Sequence, residues 1–401
     1  MIAEQMSTER ATSKAIERWS AYLDELHARI AHRFLRPEVR QRAYRYLSGL
    51  LGQEVRRKNS WQMAEALGER RPRGVQHLLN DARWDPDAVR EDLREYVVEH
   101  LGDEASGVLI VDETGFLKKG EKSVGVARQY TGTAGKRENC QVGVFLCYAS
   151  EEGAAFIDRA LYLPEEWTDD PRRLSEAGVP EGVGFATKGE LAKAMLNRAF
   201  EADVPAQWIV ADTVYGMTRG LRGWLEKSER PYVLAVTSSK SVYYEGTQKR
   251  VGKVARSLSE ESWVRASAGK GSKGERLYEW ACVELPESGT FREGARAGRW
   301  LLMRRSIAGG GEPEEKNIAY YLCYGPAHTS VQELIGIAGR RWTIEDCFEA
   351  AKGEVGLDEY EVRKWDGWHR HVTLCLLAHA YLAVVRSVAE QEENAAKGGI
   401  S

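Results

Sequence analysis

Along this chain the spacing of apolar residues changes more than once, and each change marks a change of architecture. From Ala15 to about His100 apolar side chains return every three or four positions, as at Trp19, Leu23, Leu26 and Ile30, which predicts an all-helical domain over 15–104. Within it Ser60 is the expected N-cap of a short helix, Trp61 to Leu67, which Gly68 can end; a basic turn, Glu69 to Gly74, leads into a second helix, Val75 to Asn80. At Gly107 the texture becomes short apolar runs bounded by Gly, Pro or polar residues: Val108 to Val111, Gln141 to Tyr148 and Phe156 to Leu163, three consecutive strands. A helix (Lys188 to Ala202), a strand ending in an acid (Trp208 to Asp212), a helix (Thr218 to Lys227) and a strand (Tyr232 to Thr237) follow, so the fold class is α/β, a mixed sheet flanked by helices. Residues 238–329 read as a β-rich insertion with strands at Ser262 to Ala266, Arg276 to Leu285, Trp300 to Ser306 and Asn317 to Tyr324, and with Gly309 to Gly311 as a hairpin tip. Helical spacing resumes from Val331 to about Val355 and from His369 to about Gln391, which completes a core made of 105–237 and 330–391; residues 1–14 and 392–401 are expected to be tails.

Length and composition narrow the class without identifying it. At 401 residues, with 43% hydrophobic and 29% charged positions, the chain can bury a substantial core, which excludes wholesale disorder and collagen-like repeats. The longest apolar run, Val372 to Val385, contains His379 and reads as a buried helix. The first residues, Met1 to Lys14, are polar, so neither a signal peptide nor a membrane anchor is expected and the location follows as cytoplasmic. Cys140, Cys147, Cys282, Cys323, Cys347 and Cys375 are scattered, with no CxxC pair, and are expected as buried thiols in a reducing compartment.

A formal net charge of -3 gives no global reason to bind a polyanion, but the local distribution does. Between Arg33 and Arg73 stand eleven Lys or Arg against four acids, an excess of seven positive charges over the predicted helix-turn-helix region. Arg56, Arg57 and Lys58 are its densest cluster and the candidates for phosphate contacts. The same pattern also suits a helical cap with a solvated basic face.

Candidate chemistry lies further along. Leu109-Ile110-Val111-Asp112 and Ile209-Val210-Ala211-Asp212 are two apolar strands that each deliver an aspartate to the sheet's rim. Two such carboxylates begin to describe a site for a hard divalent cation, although either alone could simply cap a turn. In the late helix Arg341, Glu345 and Lys352 fall on one face, with Trp342, Ile344 and Phe348 left to anchor the helix. Glu349, one turn after Glu345, is the competing acid. Lys118 and Lys119, just beyond the first aspartate, could contact DNA or form a solvated turn; Tyr215 could stack on an unpaired base or pack in the core. His369 and His371 have no third ligand at zinc spacing.

Taken together, Asp112, Asp212 and Glu345, with a β-rich insertion before the last of them, resemble the RNase H-like core of DDE transposases. Arg341-x3-Glu345-x6-Lys352 is similar to the end of the Y-x2-R-x3-E-x6-K motif of IS four-like insertion-sequence transposases, with Ala338 at the tyrosine position. The runs Asp112 to Phe116, Ser123 to Tyr130 and Ala211 to Gly216 resemble the IS seven-oh-one group in particular. The resemblance spans about Arg33 to Val385. It implies cut-and-paste transposition: binding of terminal inverted repeats, metal-dependent DNA cleavage and strand transfer, with the helical domain 15–104 binding DNA. It further implies two Mg²⁺ ions, replaceable by Mn²⁺, held by Asp112, Asp212 and Glu345; Arg341 and Lys352 on phosphate; and double-stranded DNA as partner, with a homodimer in the synaptic complex. An RNase H-like nuclease without strand transfer and a non-catalytic, transposase-derived DNA-binding protein are the alternatives.

Overall fold

The computed structural model describes residues 2–271, 274–286, 290–291, 295–307 and 318–398; the Gly309 to Gly311 run lies outside them. Five helices come first: α1 (Ile2–Ala31), α2 (Pro37–Leu51), α3 (Ser60–Ala66), α4 (Arg73–Asn80) and α5 (Pro86–Leu101). Helix α1 includes residues expected as a tail. Asn59, not Ser60, caps α3: its Oδ1 accepts hydrogen bonds from the backbone N–H of Trp61 at 3.1 Å and of Gln62 at 3.0 Å.

The next segment runs β1 (Val108–Leu117), β2 (Ala127–Thr131), β3 (Lys136–Ala149), β4 (Ala154–Tyr162), α6 (Glu165–Thr168), α7 (Pro171–Glu176), α8 (Lys188–Glu201), β5 (Trp208–Ala211), α9 (Thr213–Gly216), α10 (Arg219–Lys227) and β6 (Tyr232–Val236). Strand β2 was not expected, because its middle residues are polar or exposed, Arg128 and Tyr130 on the surface and half-buried Gln129 between them, which breaks the apolar pattern. Helix α8 starts where predicted because Thr187 and Glu190 form a reciprocal capping box.

The β-rich segment supplies β7 (Ser241–Tyr244), β8 (Thr247–Arg250), α11 (Val251–Ser257), β9 (Val264–Gly271), β10 (Gly274–Glu284), β11 (Thr290–Phe291), β12 (Ala295–Ser306) and β13 (Ile318–Pro326). Strand β13 pairs antiparallel with β6, so this segment continues the main sheet. The strand order is β2-β3-β1-β5-β6-β13-β12-β10-β9, with β4 also on β3. Strands β1, β5 and β6 are parallel neighbours, and the other pairings are antiparallel.

Three helices close the chain: α12 (Val331–Arg340), α13 (Thr343–Gly353) and α14 (Trp365–Gly398). The single late helix expected from Val331 to Val355 is thus two, broken at Arg341 and Trp342. Ile344 and Phe348 anchor α13, Phe348 packing on Phe145 of β3 at 5.3 Å and on Phe156 of β4 at 4.9 Å between ring centroids. Trp342, expected as a third anchor, is instead exposed. Helix α14 is apolar and long enough to cross a membrane by length and composition, with 67% of its apolar window buried inside the fold. It packs against α2, α4 and α5 as well as β4, and the Tyr46 hydroxyl meets His371 Nδ1 at 2.8 Å. The amino-terminal helices therefore share one hydrophobic core with the sheet.

Gly216, at the end of α9, is where this packing is tightest beside the rim of the sheet: a Cβ there would lie 1.8 Å from the Ala235 carbonyl oxygen of β6. Gly216→Ala is expected to cost about 1–3 kcal/mol and to lower the melting temperature, as overpacking does. Gly220→Ala on α10, where nothing lies within 4 Å, should be neutral or stabilising by up to about 1 kcal/mol. Equal melting temperatures for the two variants would show that α9 is not seated on β6.

Candidate active site

The parallel ladder of β1 and β5 runs Val108 with Trp208 through Val111 with Ala211, a constant register. Asp112 and Asp212 are the next step on each strand. Beyond that step the chains part: β1 continues along β3, with Asp112 opposite Phe145, while β5 ends and Asp212 caps α9 by accepting a hydrogen bond from Val214 N–H at 2.9 Å. The aspartates are thus delivered side by side at the sheet's rim. Asp112 lies within its strand rather than at its end, which the apolar run Leu109 to Val111 alone could not reveal.

A third carboxylate joins them that the sequence reading had not selected. One oxygen each from Asp112, Glu113 and Asp212 lies within 4.8 Å of the others. Glu113 is held by Lys188 Nζ at 2.7 Å and by the Tyr215 hydroxyl, which donates to it at 2.6 Å. Alternation along a strand normally sends neighbours to opposite faces, so the adjacent Asp-Glu pair was the only available signal. Tyr215 is fully buried and committed to this bond, which fits the reading of it as a packing side chain rather than one stacked on a base.

At the break between α12 and α13, Arg341 reaches both late and early acids. Its guanidinium donates to Glu345 Oε1 at 2.7 Å and lies 3.7 Å from Asp112 Oδ2. Glu345 is therefore linked to Asp112 through a cation, outside the compact three-carboxylate group. Glu349 is exposed. Lys352, later on α13, donates to Thr114 Oγ1 at 2.7 Å. Of the three, Arg341 reaches Asp112 directly, from the interhelical turn rather than from one continuous helix, while Glu345 joins it through Arg341 and Lys352 meets Thr114, two residues along β1.

Crowding and burial dominate the electrostatics. Burial, then the charges of Asp212 and Glu113, push the Asp112 carboxyl up to about 8, against the opposing Glu113 N–H bond and Arg341. Burial and Glu113 raise Asp212 to about 6. Tyr215 is held well above its ordinary value by burial and by Glu113. A rim of oxygen donors short of positive charge suits a hard divalent cation such as Mg²⁺ or Mn²⁺, so the residues present fit that group.

The remaining candidates divide. Lys119 is exposed, but Lys118 turns inward, its Nζ 3.5 Å from the centre of the Tyr360 ring and 3.2 Å from the Tyr360 carbonyl oxygen; burial lowers it to about 8. Lys58 is buried and donates to the carbonyl oxygens of Gly49 and Gly52 at the end of α2, so it is a capping cation and not a phosphate contact. Within the basic segment Arg33 forms a forked pair with Asp92, Arg40 binds the Ala31 carbonyl, and Arg42 and Arg45 share Glu69. Arg36, Arg56, Arg57, Arg70, Arg71 and Arg73 are exposed, with Trp61 exposed at the start of α3. His369 and His371 are core residues, His369 bonded through Nδ1 to the Trp365 carbonyl at 3.0 Å.

The family model for the DDE superfamily endonucleases matches residues 26–260, more than half of the chain, and includes Asp112 and Asp212. A second model, the transposase DDE domain, matches residues 186–381 and includes Asp212 and Glu345. A relative from Microchaete diplosiphon, described as a probable transposase for insertion sequence element IS701, is 27% identical over 267 residues, which cover 64% of this chain and 67% of the relative. Because the first of these models matches more than half of it, the chain belongs to the DDE superfamily endonucleases, among the insertion-sequence transposases of the IS701 group.

Proposed function

We propose that this protein is a cut-and-paste transposase that binds the terminal inverted repeats of an insertion sequence, cleaves DNA there and joins the ends to target DNA. The observation that carries the reading is the delivery of Asp112 and Asp212 to one rim, with Arg341 linking Glu345 to them, in a DDE-superfamily chain. The order β4-β3-β1-β5-β6, antiparallel and then parallel about β1, supports an RNase H-like core. Double-stranded DNA, both element ends and target, is the partner; a homodimer would hold two ends together. The expected location is the cytoplasm, on the nucleoid when bound.

Asp112, Asp212 and Glu345 would hold two Mg²⁺ ions, for which Mn²⁺ can substitute. When bound, these ions supply Lewis acidity at phosphorus and lower the pKa of an attacking water or terminal 3′-hydroxyl. The chain's own groups do the rest. Glu113, fixed by Lys188 and Tyr215, keeps the rim negative. Arg341, paired with Glu345 beside Asp112, would offer its guanidinium to a phosphate oxygen. Six exposed arginines on the loop before α3, on the α3–α4 turn and nearby hold the duplex backbone.

Cleavage of a duplex carrying the element's end should require Mg²⁺ or Mn²⁺ and vanish in Asp112→Asn with DNA binding retained. Glu345→Gln should lose it almost wholly and Glu113→Gln by about tenfold, a loss of about 1.4 kcal/mol of transition-state stabilisation, while Glu349→Gln stays near wild type. Cleavage by Asp112→Asn would overturn the assignment, and cleavage without joining would leave a nuclease.

The pH dependence has a definite sign. Asp112 has its carboxyl raised in the folded state, so the stability it contributes is complete at low pH and is lost as pH rises through about 8. In EDTA, Asp112→Asn should therefore gain in melting temperature relative to wild type between about pH 6 and pH 9. With Mn²⁺ present the wild type should gain most at the high end, where protons no longer compete. A difference between the two proteins that is flat with pH in EDTA would show that Asp112 is not crowded.

On the helical face, Arg56→Ala with Arg57→Ala should weaken duplex binding and flatten its salt dependence by up to about two ions. Lys58→Ala should instead lower the melting temperature, since that side chain is spent inside the fold. A salt slope that changes with Lys58 and not with the arginines would reverse these roles.

A further inference from the structure

Two groups of three metal-ligating side chains converge among the described residues, and they differ in chemistry. One is the carboxylate rim of Asp112, Glu113 and Asp212. The other joins α1 to α5 and contains an imidazole: Glu25, Glu99 and His100, with one ligand atom from each within 4.8 Å of the others. Acids gather on many surfaces without holding an ion, so the surroundings decide what this group can do.

Those surroundings hold donors and acceptors without partners. His100 Nε2 is buried and has no hydrogen-bond partner among the described residues. Tyr96, one turn earlier on the same face of α5, packs its ring on that imidazole at 4.5 Å between centroids. The Tyr96 side chain is 0% exposed and its hydroxyl is likewise unpaired. Burial first, and then the charge of Glu25, hold the Tyr96 proton above its ordinary range, so this hydroxyl stands in the field of the Glu25 carboxylate. Buried polar groups are seldom left unpaired. Two of them side by side, with carboxylates on their solvent side, point to a ligand that would engage both.

The group is also short of positive charge. Arg29, one turn after Glu25 on α1, engages Oε2 of Glu99 and not Oε1, and Glu25 has no ion pair among the described residues. Two carboxylates against one guanidinium leave one negative charge. His100 lies in the last turn of α5, whose carbonyl end favours a cation. One imidazole nitrogen with two carboxylate oxygens suits a borderline-soft ion such as Zn²⁺ and fits Mg²⁺ poorly. Zinc ligands stand about 2.0–2.2 Å from the metal, so each atom would close by less than about an ångström, a movement open to exposed glutamates.

We propose that Glu25, Glu99 and His100 form a Zn²⁺ site that clasps α1 to α5, with a water in the fourth position to which the Tyr96 hydroxyl donates. Helix α1 also rests on the core through Leu26 and Ile30, and on α14 through the Tyr381 hydroxyl, which donates to the Trp19 carbonyl at 2.8 Å, and through the ion pair of Arg18 with Glu392. The zinc adds a bond to α5. It is structural and takes no part in chemistry at the carboxylate rim, so the clasp is independent of the DNA-cleaving reading.

The test uses the full chain carrying Asp112→Asn and Asp212→Asn, which removes the rim as a competing metal site, stripped with EDTA and exchanged into metal-free buffer. Zn²⁺ should bind this parent with one equivalent by isothermal titration calorimetry and raise its melting temperature, while Mg²⁺ at the same concentration does neither. In the same parent, His100→Ala and Glu25→Gln should each weaken zinc binding by about a hundredfold or more, and Tyr96→Phe by about tenfold, as loss of a group supporting a metal ligand does. Glu95→Gln, at an exposed position of α5 outside the group, should leave it unchanged. Co²⁺ in place of zinc should give the intense visible bands of a four-coordinate ion in the parent and lose them in both ligand variants. His100 is half-buried, so if His100→Ala melts early in EDTA the exposed Glu25→Gln decides. Failure of the parent to bind zinc, or zinc binding that Glu25→Gln leaves unchanged, overturns the proposal. Equal losses from Glu95→Gln and Glu25→Gln overturn it too, since they would show only a diffuse attraction of cations to an acidic surface.

Discussion

The parallel ladder between β1 and β5 ends at Val111 and Ala211, and the place of that ending decides where every charged group at the site must stand. Upstream of it the strands are apolar and fully covered, Leu109, Ile110 and Val210 among them. Downstream, Asp112 stays in the sheet while Asp212 leaves it as a helix cap, so two carboxylates face each other over a gap that neither strand fills. Burial first, and then repulsion from the like charges of Asp212 and Glu113, make Asp112 hold its proton up to about pH 8. Arg341 and Lys188 offset part of the repulsion, and backbone N–H groups on Asp112 and Asp212 offset more. The residual repulsion is an affinity for a compact divalent charge, built in before any such ion arrives.

The position of Arg341 depends in turn on the β-rich segment. Helix α12 lies against β9 so closely that a Cβ on Gly339 would meet the Ala268 carbonyl oxygen at 2.0 Å. Arg276 of β10 donates to the carbonyl oxygens of both Gly339 and Ala268, at 3.2 and 3.1 Å, and so places a cation at the carboxyl end of α12. The helix stops there, Arg341 follows in the turn, and α13 restarts with Glu345 bonded to the Trp342 carbonyl. A segment that reads in sequence as an insertion is thus part of the scaffold that aims the motif arginine at Asp112.

Much of this frame was legible in the residues. Strands, the helix that becomes α8 and the two strand-borne aspartates announce themselves through local pattern, although β1 runs on past Val111 to Leu117 and β3 begins at Lys136 rather than Gln141. What was illegible depends on partners far away in sequence. Lys58 and Lys118 look like surface charges until α2 and Tyr360 fold over them. Glu113 looks like the outward neighbour of a site residue until Lys188 and Tyr215 draw it in. Strand β2 carries too few buried residues to show a period, and the break at Arg341 lies inside a stretch whose local spacing is uniformly helical. Spacing arguments locate side chains on an element; they do not show which elements meet.

The segment between α13 and α14 shows how such meetings join the exposed arginines to the carboxylate rim. Within it Glu359 accepts a hydrogen bond from the Lys58 backbone N–H at 2.6 Å, directly behind Arg56 and Arg57, and Tyr360 holds Lys118 at the far end of β1. The Tyr360 hydroxyl also donates to Gln141 on β3 at 2.8 Å, and a Cβ on Gly356 would strike Lys58 at 2.3 Å, so the fit leaves no slack. The same few residues therefore brace the arginine loop, the strand that carries Asp112 and the helix that carries Glu345 and Lys352. With α14 buried beneath them as a common core, the exposed arginines are held on the sheet rather than tethered to it, and their distance from the carboxylates is set by packing instead of by a linker.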